Sequence, residues 1–251
     1  MDGLEMAGKS ALNPKDYIMP IVQLSVKQTA RLAGFFYLLV VIFGIISLMY
    51  IPGKLIQWDN AAVTVQKIKA FPFLFRFGIL SNIICYTAFL FLPLVLYRLF
   101  KPVNAPVAAL MVLLAVVSVP LSFAHLQNKF AVLSLLDASG GVNQLMPPLQ
   151  EQVMFYLNQF ENGNLVLQTF WGLWLFPFGY LIVKSGMLPK ILGILLMLGC
   201  VGYLVNMAGN ILFPFYSTWG ISGYVRLPAS VGEIGTCLWL LIAGAKPLRE
   251  H

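Results

Sequence analysis

Long apolar stretches joined by short polar connections dominate the pattern along this chain. A helix needs about 20 mostly apolar residues to cross the hydrocarbon core of a bilayer. Six stretches qualify, and they lie at about Leu32–Tyr50, Gly78–Phe100, Pro106–Leu126, Leu165–Val183, Pro189–Phe213 and Leu227–Ala245. The pattern therefore predicts an all-α fold, a polytopic integral membrane helix bundle with about six transmembrane helices.

Prolines and polar connections add detail to this prediction. Pro93, Pro120 and Pro177 lie inside spans and cannot donate a backbone hydrogen bond, so we expect kinks there. Two connections are long enough for further helices, one after Asn60, a good N-cap, and one starting at Pro147. Both carry apolar residues at helical spacing, which favours short amphipathic helices on the membrane surface. They would form a lid over the bundle or a gate over a cavity.

The composition supports a membrane protein. The chain is 59% hydrophobic and 10% charged, and its mean hydropathy is +0.84. A soluble chain is usually about 45–50% apolar and about 25% charged. We expect a single membrane domain at 30–246, a cytoplasmic N-terminal segment at 1–29 and a cytoplasmic tail at 247–251, with membrane lipid as the main partner. No cleaved signal peptide is expected in residues 1–29, because they lack a sustained apolar region.

The net charge of +7 bears on orientation rather than on nucleic acid. The basic residues stand singly or in pairs at the ends of apolar runs and form no stripe, which argues against a nucleic-acid partner. With a cytoplasmic N-terminus, ten of the 16 Lys and Arg residues fall on the cytoplasmic side, and the loops there are short. The sequence predicts a protein of the cell inner (plasma) membrane with both termini in the cytoplasm.

Several segments carry a family resemblance: 30–38, 75–78, 96–104, 179–193 and 228–235. Their most specific parts are the Lys184-Ser-Gly-Met-Leu-Pro-Lys190 turn and the Gly232-Glu233 pair. Over most of residues 30–246 the chain resembles an uncharacterised bacterial membrane family, the domain of unknown function 4386. The resemblance implies a six-span protein and no assigned activity. Many members carry His in the fourth span where this chain has Trp174, so a role for that His does not transfer.

Polar residues inside spans are costly, so their positions are informative. Nearly all of them fall in the half of the bundle that we assign as outer. We expect a polar cavity there, lined by Glu233, Arg76, His125, Asn82, Gln168, Asn206, Asn210 and Arg226.

Glu233 is the acidic residue that the apolar runs place well inside a span. An unpaired carboxylate there would be costly, and Arg76, Arg226 and His125 are its expected partners. It would either form an ion pair that locks spans two and six together, serve a proton or substrate site, or simply reach water. Asn206 and Asn210 would line the cavity or, with the small side of span six, hold a closely packed helix interface.

Other chemistry has little support in the sequence. His125 has no neighbouring His or Glu at ligand spacing, so we expect no metal site and no cofactor. The segment 220–223 lacks the spacing of a serine-nucleophile loop. The three cysteines all fall inside apolar runs, which favours packing over disulfides.

Three functions remain open. The first is a non-catalytic membrane protein, such as a scaffold, sensor or accessory subunit. The second is a carrier of a small polar or lipid-like solute. The third is a membrane-embedded enzyme that uses Glu233 and His125 as acid and base, which requires the two side chains to converge. The sequence ranks them in that order and indicates neither the small-molecule ligand nor the oligomeric state.

Overall fold

In the computed structural model, residues 24–138 and 147–248 are described. Their helices are α1 Val26–Leu55, α2 Ala61–Ala70, α3 Pro72–Phe100, α4 Ala105–Ala138, α5 Pro147–Ser185, α6 Lys190–Leu212 and α7 Ser222–Ile242. All except α2 are long and apolar enough to cross a membrane, and no strand occurs in the described ranges. The six predicted spans and the all-α fold are confirmed. Residues 1–23 and 249–251 lie outside the described ranges, and with them most of the two predicted terminal segments.

The prediction of a separate surface helix at Pro147 is wrong, because Pro147 begins the helix that forms the fourth span. The helix runs without interruption from Pro147 to Leu173. Its buried side continues from Val153 through Leu157 and Phe160 to Leu167, one residue per turn. Backbone hydrogen bonds do not require apolar side chains, so a helix can extend past the apolar run that marks its membrane core. This extension brings Glu161 into the bundle.

The other expected amphipathic helix is present as α2. The Asn60 side chain accepts a hydrogen bond from the Val63 amide at 3.0 Å, which caps its first turn. Val65 and Ile68 are buried against the bundle. The amphipathic pattern thus predicted both the start and the buried side of this helix.

The spans form a closed ring in chain order. Each span packs against the next, and α7 returns to pack against α1. The chain enters at Val26 and leaves at Ile242 on the same end of the ring. We call the opposite end, which carries α2 and the connection 213–221, the distal end.

Aromatic residues fill the centre of the ring away from the distal end. Trp174 stacks on Phe178 at 5.3 Å between ring centroids and meets Phe89 edge-on at 5.2 Å. Trp174 also ends the first part of α5, because Pro177 has no N–H to pair with the Leu173 carbonyl. The helices continue through Pro93 and Pro120.

Small residues bring α6 and α7 together, as the sequence led us to expect. A Cβ on Gly199 would lie 2.7 Å from the Ala229 Cα, and one on Gly202 would collide with the Val225 carbonyl oxygen. A Cβ on Gly232 would likewise lie 3.1 Å from the Leu196 backbone nitrogen. Backbones approach this closely only where side chains are absent. All three cysteines are buried and free, and they lie in the hydrophobic core.

Candidate functional site

A polar cavity of about 330 Å³ opens at the distal end between α5, α6 and α7. Its lining residues are Glu161, Asn162, Asn164, Leu165, Gln168, Asn206, Asn210, Ser222 and Arg226. Four residues predicted from the sequence, Gln168, Asn206, Asn210 and Arg226, therefore share one cavity. Volumes of about 300–1,000 Å³ are usual for small-molecule sites.

Helical spacing explains why each helix contributes a polar row. Asn206 and Asn210 are four residues apart on α6, as are Ser222 and Arg226 on α7, and residues so spaced lie on one side of a helix. On α5, positions 161, 164 and 168 share one side in the same way. Each row is local, but the cavity exists only because the three helices turn these rows towards one another.

Hydrogen bonds tie two walls of the cavity together. The Asn206 side-chain amide donates to the Gln168 Oε1 at 2.7 Å, and the Asn210 amide donates to the Asn206 backbone carbonyl at 2.8 Å. The side-chain oxygens of Asn164 and Asn206 are buried and have no hydrogen-bond partner in the described ranges. An unpaired buried acceptor costs about 1–3 kcal/mol, so these two oxygens reduce the stability of the packing beside the cavity.

Glu161 and Arg226 give the cavity one charge of each sign. The Glu161 carboxylate interacts with the Asn164 side chain and, over a longer distance, with the Lys129 ammonium. Within the described ranges the Arg226 guanidinium has no hydrogen-bond or ion-pair partner, and the residue is exposed. The cavity therefore offers an acceptor-rich wall on α5 and α6 and a cationic donor on α7.

Behind Glu161 lies Lys129, which is only 4% exposed. Its ammonium lies 3.9 Å from the centroid of the Phe160 ring and 3.5 Å from the Ser47 carbonyl oxygen. Ser47 belongs to a π-helical turn, Ile46–Tyr50, inside α1. A π-helical turn often marks a functional position, and here it faces a buried cation.

Sequence reasoning missed both Lys129 and Glu161 because the apolar runs ended before them. The signal that could have found them is the buried side of α5, whose apolar spacing passes through residues 153, 157 and 160 without a break. That spacing places position 161 at the membrane and opposite the extension of α4.

Four of the eight predicted cavity residues lie elsewhere, and Arg76 and Asn82 are two of them. Arg76 forms an ion pair with Asp137 at 2.9 Å, and both side chains are more than half exposed. Asn82 is fully buried, donates to the Gly78 carbonyl and accepts from the Tyr86 hydroxyl at 3.4 Å. The Arg76 ion pair joins α3 to α4, and the Asn82 hydrogen bonds lie within α3. Neither side chain lines the cavity.

Glu233 lies deeper than the cavity, two helical turns beyond Arg226. It interacts with the hydroxyl groups of Tyr37 and Tyr203, although the buried Tyr37 hydroxyl does not reach full hydrogen-bond geometry with any described residue. The expected ion pair with Arg76, Arg226 or His125 is not formed in the described ranges. Glu233 is instead a carboxyl group between two phenols, where α1, α6 and α7 meet.

His125 lies in a different helix contact, between α4 and α5. Its ring centroid is 4.7 Å from that of Phe160, and a Cβ on Gly163 would come within 2.8 Å of the ring. The Phe160 carbonyl faces the ring, but neither ring nitrogen makes a complete hydrogen bond with a described residue. Because His125 and Glu233 have separate surroundings, the acid–base pair expected of an enzyme is not assembled.

Comparison with known proteins identifies a family and adds no activity. A relative from Archaeoglobus fulgidus, described only as an uncharacterized protein, is 32% identical over 77 residues, which are 31% of this chain and 43% of the relative. The chain thus spans less than half the length of that relative, which is archaeal. No solved structure matches the chain. The sequence model described as "Domain of unknown function (DUF4386)" matches residues 32–244, and the chain therefore belongs to this family of multi-pass membrane proteins without an assigned role.

Proposed function

We propose that this multi-pass protein is a non-catalytic binder of a small polar solute, which it takes up in the cavity between α5, α6 and α7. The observation that carries the proposal is a cavity of about 330 Å³ in which eight of the nine lining residues, from three different helices, are polar. The cavity also carries charged groups that can orient a solute.

The packing beneath the cavity supports binding over open conduction. Tyr203 lies one turn below Asn206 and packs onto the Gly172 backbone. A Cβ added to Gly172 would lie 2.7 Å from the Cβ of Tyr203. Below it stands the aromatic cluster around Trp174 and Phe178. The cavity is therefore a pocket open at the distal end, and the described helices beneath it are closely packed.

Solute binding is tested with the purified chain in detergent. We expect at least one member of a panel of neutral, cationic, anionic and zwitterionic solutes to raise the unfolding temperature in a saturable way. Asn206→Leu removes two hydrogen-bonding groups from the pocket and should weaken the apparent Kd at least about tenfold.

Val205→Leu is the matched control, because Val205 is the neighbouring residue and is 45% exposed on the lipid side. It should bind as the unchanged chain does. The proposal fails if no solute class stabilises the chain, or if Asn206→Leu binds as tightly as the control.

We further propose that the chain lies in the plasma membrane with the distal end outside and both termini in the cytoplasm. The support is the excess of Lys and Arg near the end of the bundle that holds Val26 and Ile242. The pocket would then open towards the cell exterior.

Cysteine labelling of intact cells measures this orientation. Asp59 is exposed at the distal end and Lys101 is exposed at the opposite end, while the native cysteines are buried. We expect a membrane-impermeant maleimide to label Asp59→Cys in intact cells and Lys101→Cys only after permeabilisation. The reverse pattern would mean that the pocket faces the cytoplasm.

A further inference from the structure

We infer that the pocket selects a zwitterion whose cationic group carries N–H bonds, such as an amino acid or an aminoalkyl phosphate group. The inference rests on the proposed binding function and names its ligand class. It follows from the distribution of acceptors and donors over the three helices that form the pocket.

The wall formed by α5 and α6 requires hydrogen-bond donors. It presents the Glu161 carboxylate and the Asn210 side-chain oxygen, which remains an acceptor because the Asn210 amide nitrogen donates to the Asn206 carbonyl. A primary ammonium supplies three N–H donors and a positive charge, and it can satisfy these acceptors.

The α7 side requires an anion. The Arg226 guanidinium is unpaired among the described residues, and the Ser222 hydroxyl lies one turn from it on the same side of the helix. A guanidinium binds carboxylate and phosphate oxygens through paired N–H bonds. A ligand that bridges the pocket would therefore place its anionic group at α7.

The charges in and behind the pocket disfavour simple ions of either sign. Glu161 and Arg226 line the pocket, Lys129 lies behind it, and the three together carry a net charge of +1. A plain cation would meet the guanidinium of Arg226, and a plain anion would meet the Glu161 carboxylate. A zwitterion satisfies both walls without adding net charge to a partly desolvated site.

Two sources could provide this chemistry, a free solute or the headgroup of an aminophospholipid in the surrounding membrane. Both carry an N–H bearing ammonium near an anionic group. Trimethylated analogues keep the charges but lack N–H donors, so they cannot donate hydrogen bonds to the Glu161 carboxylate. This difference gives a matched control for each source.

Binding is measured by thermal stabilisation with free probes and with lipid nanodiscs. The free probes are alanine and phosphoethanolamine, each against its trimethylated counterpart, and glycerol and urea serve as neutral donors. The lipid arm compares nanodiscs of phosphatidylethanolamine with nanodiscs of phosphatidylcholine. We expect the N–H bearing member of each pair to bind at least about tenfold more tightly than its trimethylated counterpart. The difference should appear with the free probes if the ligand is a solute and with the nanodiscs if the ligand is a lipid headgroup.

Charge-changing variants test the assignment of the two walls. Arg226 is exposed, so Arg226→Gln should fold, and it should weaken binding of the zwitterion at least about tenfold. Arg226→Glu should shift the preference towards a diamine such as putrescine, which a merely structural role would not do. The role of Glu161 is tested with the double variant Glu161→Gln/Lys129→Met. The second change removes the buried Lys129 ammonium, which would otherwise lose its counter-charge. This variant should bind the N–H bearing probes and their trimethylated counterparts equally.

The outcomes separate this inference from the binding function. Equal binding of methylated and unmethylated probes, or tighter binding of glycerol or urea, overturns the zwitterion while solute binding stands. An Arg226→Glu variant with unchanged selectivity also overturns it. If no probe and no lipid binds, both the inference and the proposed function fall.

Discussion

Gly202→Ala is expected to destabilise the folded chain by about 1–3 kcal/mol, the usual cost of forcing an extra carbon into a packed contact. The new Cβ would collide with the Val225 carbonyl oxygen on α7. That oxygen belongs to the helix backbone, so the collision can be relieved only by moving α7 away from α6. The same movement would open the Gly199 contact and displace Arg226, which follows Val225 in the chain and lines the pocket.

Gly223→Ala provides the control, since a Cβ at Gly223 has no atom within 4 Å. It should leave the unfolding temperature unchanged or slightly raised, because alanine favours the helix over glycine. Thermal unfolding in a single detergent, followed by intrinsic fluorescence, compares the two variants. Equal stability of Gly202→Ala and Gly223→Ala would show that α6 and α7 do not cross at this point.

Glu161→Gln is expected to destabilise the chain by about 1–3 kcal/mol through Lys129. Glu161 attracts the Lys129 ammonium over a longer distance than an ion pair and is only partly buried, so the loss should be smaller than the cost of breaking a buried ion pair, which is about 3–5 kcal/mol. The ammonium that remains has the Phe160 ring and the Ser47 carbonyl as partners. It would then be a desolvated cation without the carboxylate that attracts it.

Lys129→Met in the same chain should recover most of this loss, because replacing both charges of a buried pair by neutral groups is often close to neutral. Equilibrium unfolding of the two single variants and the double variant gives the coupling energy, which we expect to be about 1 kcal/mol or more. Arg76→Gln with Asp137→Asn is the matched control pair, since its ion pair is more than half exposed and such pairs contribute about 0–1 kcal/mol. Additive effects at Glu161 and Lys129 would mean that the two groups do not interact.

Much of the fold followed from the sequence, while the site followed only in part. The cap at Asn60, the buried residues of α2 and the close contact of α6 with α7 all rest on short-range patterns, and each was predicted. The pocket was predicted through Gln168, Asn206, Asn210 and Arg226. Glu233 was expected to face charged partners and instead meets two tyrosines, because sequence spacing gives the depth of a side chain in its own helix but not the helix that it faces.

Lys129 and Glu161 show most clearly where sequence reasoning stopped. Both lie beyond the apolar runs, so hydropathy assigns them to connections. They are covered only because α4 and α5 extend past their apolar parts and pack against the π-helical turn of α1 and against each other.

The sequence by itself determined that the chain crosses a membrane six times, because the length of an apolar run compared with the thickness of a bilayer is a local property. It also determined which residues are polar at each depth. Only the tertiary structure decided which of them meet. The closed ring of spans sets the rotation of each helix, and that rotation turns the polar rows of α5, α6 and α7 into one pocket while it leaves His125, Asn82 and Arg76 in separate contacts.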